Sequence, residues 1–132
     1  MKRTYMLDTD TVSFALRGLG RVEAHLLQRA PSEVCISAVT LAELRYGADH
    51  RQSKKLHGLI DTFVASVLVM PFDEAAASTF GKTAAELARA GTPISELDTM
   101  IAAHAISLDL TLVTYNTKHL GRVPLLRLDN WF

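Results

Sequence analysis

The chain alternates short apolar runs with longer segments whose apolar residues recur every three or four positions. "TYMLD", 4–8, predicts a short buried strand that stops at Asp8. "TVSFALRG", 11–18, predicts a short helix, with Thr9 or Asp10 as its cap and Gly18 near its end. Residues 21–29 predict a second helix, ended by Pro31. "EVCIS", 33–37, carries β-branched residues and predicts a strand. "AVTLAELRYGA", 38–48, predicts a helix capped by Ser37. Residues 52–66 predict another helix, and "VLVMPF", 67–72, a strand closed by Pro71. The Ala-rich segment 73–91 opens on acids and stops at Gly91, as a long helix would. After a turn at 91–93, residues 96–108 predict an apolar helix, "LTLVTYN", 110–116, a strand, and 124–128 a last strand.

Strands alternating with helices predict an α/β domain with a mostly parallel central sheet flanked by helices, a three-layer α/β/α arrangement. No internal repeat, low-complexity tract or linker interrupts residues 1–132, so one domain is expected. In such folds the ligand site lies beyond the carboxyl ends of the strands. Asp8, Ser37 and Thr114 fall at or near those ends.

Composition narrows the picture. Of 132 residues, 48% are hydrophobic, enough for a packed core and too many for a disordered chain. The 14 basic and 14 acidic residues cancel, so contact with nucleic acid must come from a local patch. No apolar run approaches the ~18 residues of a membrane span, and "MKRTYMLD" is too weakly apolar for a signal peptide. Cys35 is the single cysteine, which excludes an intramolecular disulfide and a thiolate metal cluster. A cytoplasmic protein is the expectation.

Candidate chemistry lies with the acids. Asp8, at a strand end, suits a helix cap, a metal ligand or a nucleophile. Glu43 shares a helix face with Val39 and Tyr46, and an acid on an apolar stripe needs something to neutralise it. Pairing with Arg45 is the plain alternative. Asp98 stands in the first turn of an apolar helix, where dipole stabilisation is one role, but its spacing from Ile101 and Ala105 leans it toward the core. His104 on the same helix reads as a core histidine with a satisfied ring. Asn116 and Thr114 close a strand and matter if the acids converge there. Three uncompensated carboxylates would raise one another's pKa values, and a divalent cation removes that conflict. Oxygen-only ligands select Mg²⁺ or Mn²⁺, which polarise a phosphate, lower the pKa of a bound water and template an in-line attack.

The residues then match a known pattern. "MLDTDTVSFAL", "CISAVTLAELRYGA", "AELARAGTPISELDTMIAAHA" and "LTLVTYNTKHLGRVPLLRLDNW" together resemble PIN-domain ribonucleases, and among them the VapC-type toxins of bacterial toxin–antitoxin pairs. The resemblance covers nearly the whole chain. It implies that Asp8, Glu43 and Asp98 hold Mg²⁺ or Mn²⁺, with Asn116 where the family often has a fourth acid. Tyr115 stands where Asn is expected and Leu120 where an aromatic is usual, departures that bear on a second tightly held metal and not on the first. "DTD" replaces the usual "DTN" or "DTS", which assigns Asp10 to capping and to extra negative charge. The resemblance further implies cleavage of RNA, such as a transfer RNA, dimerisation, and a VapB-like antitoxin that lays an Arg or Lys across the acids. DNA would be met only through that antitoxin, and no membrane is involved. Candidate RNA contacts are Arg17, Arg21, Arg45, Lys118 and Arg122.

Rival readings remain. "MLDTDTV" also fits a haloacid dehalogenase-type phosphatase, with Asp8 as nucleophile, Asp10 as acid/base and Ser37 as a strand-end serine. That pattern lacks its later lysine and paired acids. A phospho-receiver module would use Asp73 and lacks a convincing lysine, since Lys118 lies past its strand. A PIN fold kept only for binding is opposed by the intact acids.

Overall fold

A computed structural model describes residues 3–132. Five short strands run through it: β1 (Tyr5–Leu7), β2 (Val34–Ser37), β3 (Leu68–Met70), β4 (Thr111–Val113) and β5 (Leu128–Asp129). They form one sheet in the order β3-β2-β1-β4-β5 with every pairing parallel. Seven α-helices connect them: α1 (Thr9–Leu16), α2 (Val22–Leu27), α3 (Ala38–His50), α4 (Lys54–Ser66), α5 (Glu74–Arg89), α6 (Glu96–Ser107) and α7 (Thr117–Leu120). The expected α/β class and flanked parallel sheet are what the structure has.

Alternation along the strands sets the two cores. Met6, Cys35 and Leu112 face α5 and α6, packing with Leu87, Ile101, Ala102 and Ala105. Leu7, Ile36 and Val113 face the other way, against Val12, Val22, Leu44, Ala48 and Ile60 of α1 to α4. Leu120, where an aromatic was expected, is buried in the first core.

Side-chain caps start the helices. Ser37, Ser53, Asp73 and Ser95 accept the backbone N–H groups of Val39, Leu56, Ala76 and Asp98. At α1 the expected cap is corrected. Asp8 itself accepts the Thr11 N–H at 2.9 Å, and Thr9 and Asp10 lie inside the helix. The short side chain of the residue just outside the first turn is the one that reaches that donor.

The expected strand at 124–128 is also corrected to Leu128–Asp129. Leu125 has φ +68° and is exposed, so a turn occupies the preceding residues and pairing begins where Leu128 meets Leu112. Pro31–Glu33 form a 3₁₀ turn, which delays β2 to Val34.

The topology fixes the site. From β1 the chain moves outward through β2 to β3, then returns to place β4 on the other side of β1. The β1/β4 junction is therefore a switch point of the sheet, and a crevice forms at its carboxyl end. Asp8 and Thr114 are the residues that follow these two strands.

Candidate active site

Asp8 is 6% exposed. Its backbone N–H donates to the Val113 carbonyl at 3.0 Å, continuing the β1/β4 ladder by one bond. Burial raises its carboxyl pKa above the ordinary value. Hydrogen bonds from the Thr114 side chain and from Thr11 oppose that rise, and the charge of Asp10 adds to it. Thr114, at the end of β4, accepts the Asn116 N–H at 3.0 Å as the chain enters α7.

Glu43 reaches the same crevice from α3. The Thr9 hydroxyl donates to its Oε1 at 2.6 Å and lies 3.5 Å from the Thr40 hydroxyl. Burial raises the Glu43 pKa, the Thr9 bond lowers it, and the charges of Asp98, Asp10 and Asp8 raise it further. Asp98, half-buried in the first turn of α6, is the strongest of those three influences. Asp8, Glu43, Asp98 and the exposed Asp10 therefore share one electrostatic field. None of the four has a basic ion-pair partner among the described residues. The carboxylates are not drawn in to ligand distance of a common point; among the described residues no three acids, imidazoles or thiolates form a ready metal cluster. The donor set is all oxygen, and its excess negative charge fits a hard divalent cation.

A cleft of about 530 Å³ opens beside Glu43, lined by Thr9, Val39, Ala42, Tyr46, Leu97 and Met100. The shared face of Val39, Glu43 and Tyr46 is one wall of it. A narrower groove of about 170 Å³ runs between α1 and α3, with Asp10, Ser13 and Glu43 along it and Arg17 and Arg51 also in its lining.

The basic candidates divide. Arg45 is engaged with Asp61 and His57, so it is drawn away from the acids. Arg17 bonds the Ser13 carbonyl through Nε at 3.4 Å and keeps the rest of its guanidinium in the groove. Arg122 bonds the Pro93 carbonyl, while Arg21 and Lys118 are exposed. Sequence reasoning missed two positions. Thr9, read only as a cap, holds Glu43, and its place next to Asp8 in "DTD" is the signal that could have flagged it. Arg51 has no such signal, since only the packing of α1 on α3 puts it in the groove.

His104 is a core histidine. It is 1% exposed, stands edge-on to Phe72, and its Nδ1 lies 2.8 Å from the Ser37 hydroxyl. Ser37 is fully buried and its hydroxyl is shared between the Val39 N–H, which it accepts, and His104 Nδ1. A phosphatase reading is not supported: its strand-end serine is sealed in the core. Asp73, the receiver-type acid, caps α5 beyond the edge strand β3.

Comparison with known proteins agrees with this geometry. The PIN domain family matches residues 5–125. The chain is 39% identical over 128 residues to the tRNA(fMet)-specific endonuclease VapC of Shigella flexneri, covering 96% of this chain and 97% of that protein. It resembles a chain in the crystal structure of DNA-bound VapBC from Salmonella typhimurium, with TM-score 0.92 and 35% identity over 98% of this chain and 99% of that one. A chain of VapBC2 from Rickettsia felis, bound to a DNA fragment from its promoter, aligns with TM-score 0.89 and 33% identity over 98% and 99% of the two chains. This chain belongs to the PIN domain family.

Proposed function

We propose that the chain is a metal-dependent endoribonuclease and the toxin of a toxin–antitoxin pair, working in the cytoplasm on RNA, with transfer RNA the leading substrate class. The observation that supports this reading is that Asp8, Glu43 and Asp98 have no basic ion-pair partner among the described residues, while Asp8 and Glu43 are buried enough to make their charge costly. A relative whose name specifies a transfer RNA endonuclease supports the substrate class.

Asp8, Glu43 and Asp98 would hold Mg²⁺ or Mn²⁺, and Asn116 would add a neutral oxygen at the rim. Once bound, the ion neutralises the acids and polarises the phosphate ester. The reaction is hydrolysis: a water oxygen bonds to phosphorus, a ribose oxygen leaves, and one proton passes from the water to the leaving group. The chain's own residues set the geometry. The Thr11 N–H fixes Asp8, Thr9 fixes Glu43, and the first turn of α6 carries Asp98. Side chains locked by a supporting layer of hydrogen bonds keep a site within the tolerance that catalysis needs.

The same cleft suits a VapB-like antitoxin. Val39, Ala42, Tyr46, Leu97 and Met100 offer an apolar wall beside uncompensated acids. A partner segment with an apolar face and an Arg would satisfy both, since a guanidinium forks onto carboxylates. VapBC complexes among the solved relatives support that partner, and any contact with DNA would run through it.

The test is cleavage of RNA by partner-free protein, with and without Mg²⁺ or Mn²⁺, beside Asp98→Asn. Metal-dependent cleavage absent from the variant supports the reading. Cleavage that persists in the variant, or in a chelator, overturns it.

A further inference from the structure

Beside the acids lies a group of aromatic rings that the hydrolytic chemistry does not use. Tyr115 lies two residues beyond Val113, whose carbonyl accepts the Asp8 N–H at 3.0 Å. Its ring meets Phe14 at 5.5 Å and Phe132 at 4.8 Å, both edge-to-face, and Phe14 meets Phe132 at 4.8 Å. Such contacts are favourable within a core, yet Tyr115 is 52% exposed and Phe132 40% exposed. The Tyr115 hydroxyl makes no hydrogen bond to another described residue, so the ring is what this position presents.

The cluster is fixed in place. The Arg21 N–H donates to the Phe132 carbonyl at 2.8 Å, and the Phe132 N–H donates to Asn130 Oδ1 at 2.9 Å. Gly20, at φ +65°, allows the close approach, because a Cβ there would meet the Phe132 ring at 2.7 Å. Positive charge borders it: the Arg17 guanidinium lies 5.6 Å from the centre of the Phe14 ring and also lines the groove that contains Asp10 and Glu43.

We propose that Tyr115, backed by Phe14 and Phe132, is a stacking platform for an unpaired base of the substrate RNA next to the cleaved bond, with Arg17 taking an adjoining phosphate. The inference rests on the ribonuclease reading above. Exposed rigid rings beside a guanidinium match the alternating faces and phosphates of single-stranded nucleic acid. The cleft beside Glu43 also carries an exposed ring, Tyr46, but its lining has no guanidinium and is mostly aliphatic, which suits a protein segment instead. Stacking holds substrate and transition state alike, so its loss falls on KM rather than kcat.

The experiment measures KM and kcat for Mg²⁺-dependent cleavage of a purified transfer RNA pool. Wild type is compared with Tyr115→Ala, Tyr115→Leu, Tyr115→Phe and Tyr115→Trp, each checked for folding by thermal melting. Loss of the ring in Ala and Leu raises KM ~10-fold or more, with kcat little changed; Phe and Trp stay near wild type. A Leu variant that matches Phe would show that only apolar bulk is needed and overturns the platform. So would Ala and Leu variants that keep wild-type KM, including any that instead change binding to a partner protein or the oligomeric state. A wild type that cleaves no RNA sinks the ribonuclease reading itself, which separates that failure from failure of the platform alone.

Discussion

The Thr9 hydroxyl donates to Glu43 Oε1 at 2.6 Å and so ties the start of α1 to the middle of α3. One link places an acid from the second sequence block beside an acid from the first. Thr9→Val keeps the shape and removes the donor, and a hydrogen bond to a charged group contributes ~1.5–3 kcal/mol. Cleavage by this variant is expected to fall about tenfold, and to need more Mg²⁺ for half-maximal rate. Thr9→Ser keeps the donor and stays near wild type. Steady-state cleavage over a Mg²⁺ titration is the measurement, and a fully active Thr9→Val would remove Thr9 from the site.

Asp8 combines two roles, and substitutions separate them. Asn caps a helix about as well as Asp, whereas Ala gives up ~1 kcal/mol of capping. Asp8→Asn is expected to fold at least as stably as wild type, because burial makes the charged form costly. Asp8→Ala should be about 1 kcal/mol less stable than Asp8→Asn, and both should be inactive. Asp10→Asn should keep cleavage largely intact, since Asp10 is exposed and neither caps α1 nor bonds Asp8. Urea melts beside cleavage assays distinguish these cases; loss in Asp10→Asn as severe as in Asp8→Asn would make Asp10 a ligand.

Glu43 should show a conflict between stability and activity. Its carboxylate is pushed toward protonation by burial and by Asp98, Asp10 and Asp8. Glu43→Gln keeps an oxygen for Thr9 and relieves the repulsion, so its melting temperature is expected to rise by a few degrees while cleavage is lost. Mg²⁺ should stabilise wild type, by ~2.7 kcal/mol at a hundred times its Kd, and Glu43→Gln much less. Thermal melts with and without the ion decide it. A Glu43→Gln protein that melts below wild type without metal would contradict the field described here.

His104 sets an acid limit on the fold. Burial lowers its pKa, although Asp73 and a backbone hydrogen bond at Pro71 pull the other way. A folded-state pKa below the unfolded value of ~6.5 gives stability that is full above ~6.5 and is lost as pH falls below it. Asp8 and Glu43 act in the opposite sense, because their raised pKa values relieve a cost as pH falls. The comparison must therefore be between proteins that share those acids. Wild type is expected to lose more melting temperature between about pH 7 and pH 5 than His104→Gln. Parallel slopes would show that folding leaves the His104 pKa unshifted.

The fold was legible where periodicity and punctuation agreed. Alternation of strands and helices, the Gly91 stop and the Ser37 cap all carry local physical causes, and each is present. The last strand was misplaced because its pairing depends on β4, which no local pattern announces. Asp8, Glu43 and Asp98 could be singled out one at a time, but how strand order disposes them around the crevice could not. Asp10 drew the cap assignment because both it and Asp8 are good caps; only the backbone at Asp8 decides between them. Tyr115 stood out against the family pattern, while its partners Phe14 and Phe132 come together only through the packing of distant segments.

The return of β4 to the side of β1 has a consequence for how such a protein is made. Leu7 pairs with Val113, so the crevice at Asp8 lacks one wall until that late strand has left the ribosome. If the chain is the ribonuclease proposed, it is expected to stay inactive until β4 has emerged. Stalled fragments ending before β4 should leave RNA uncut, and a partner made at the same time has that interval in which to arrive.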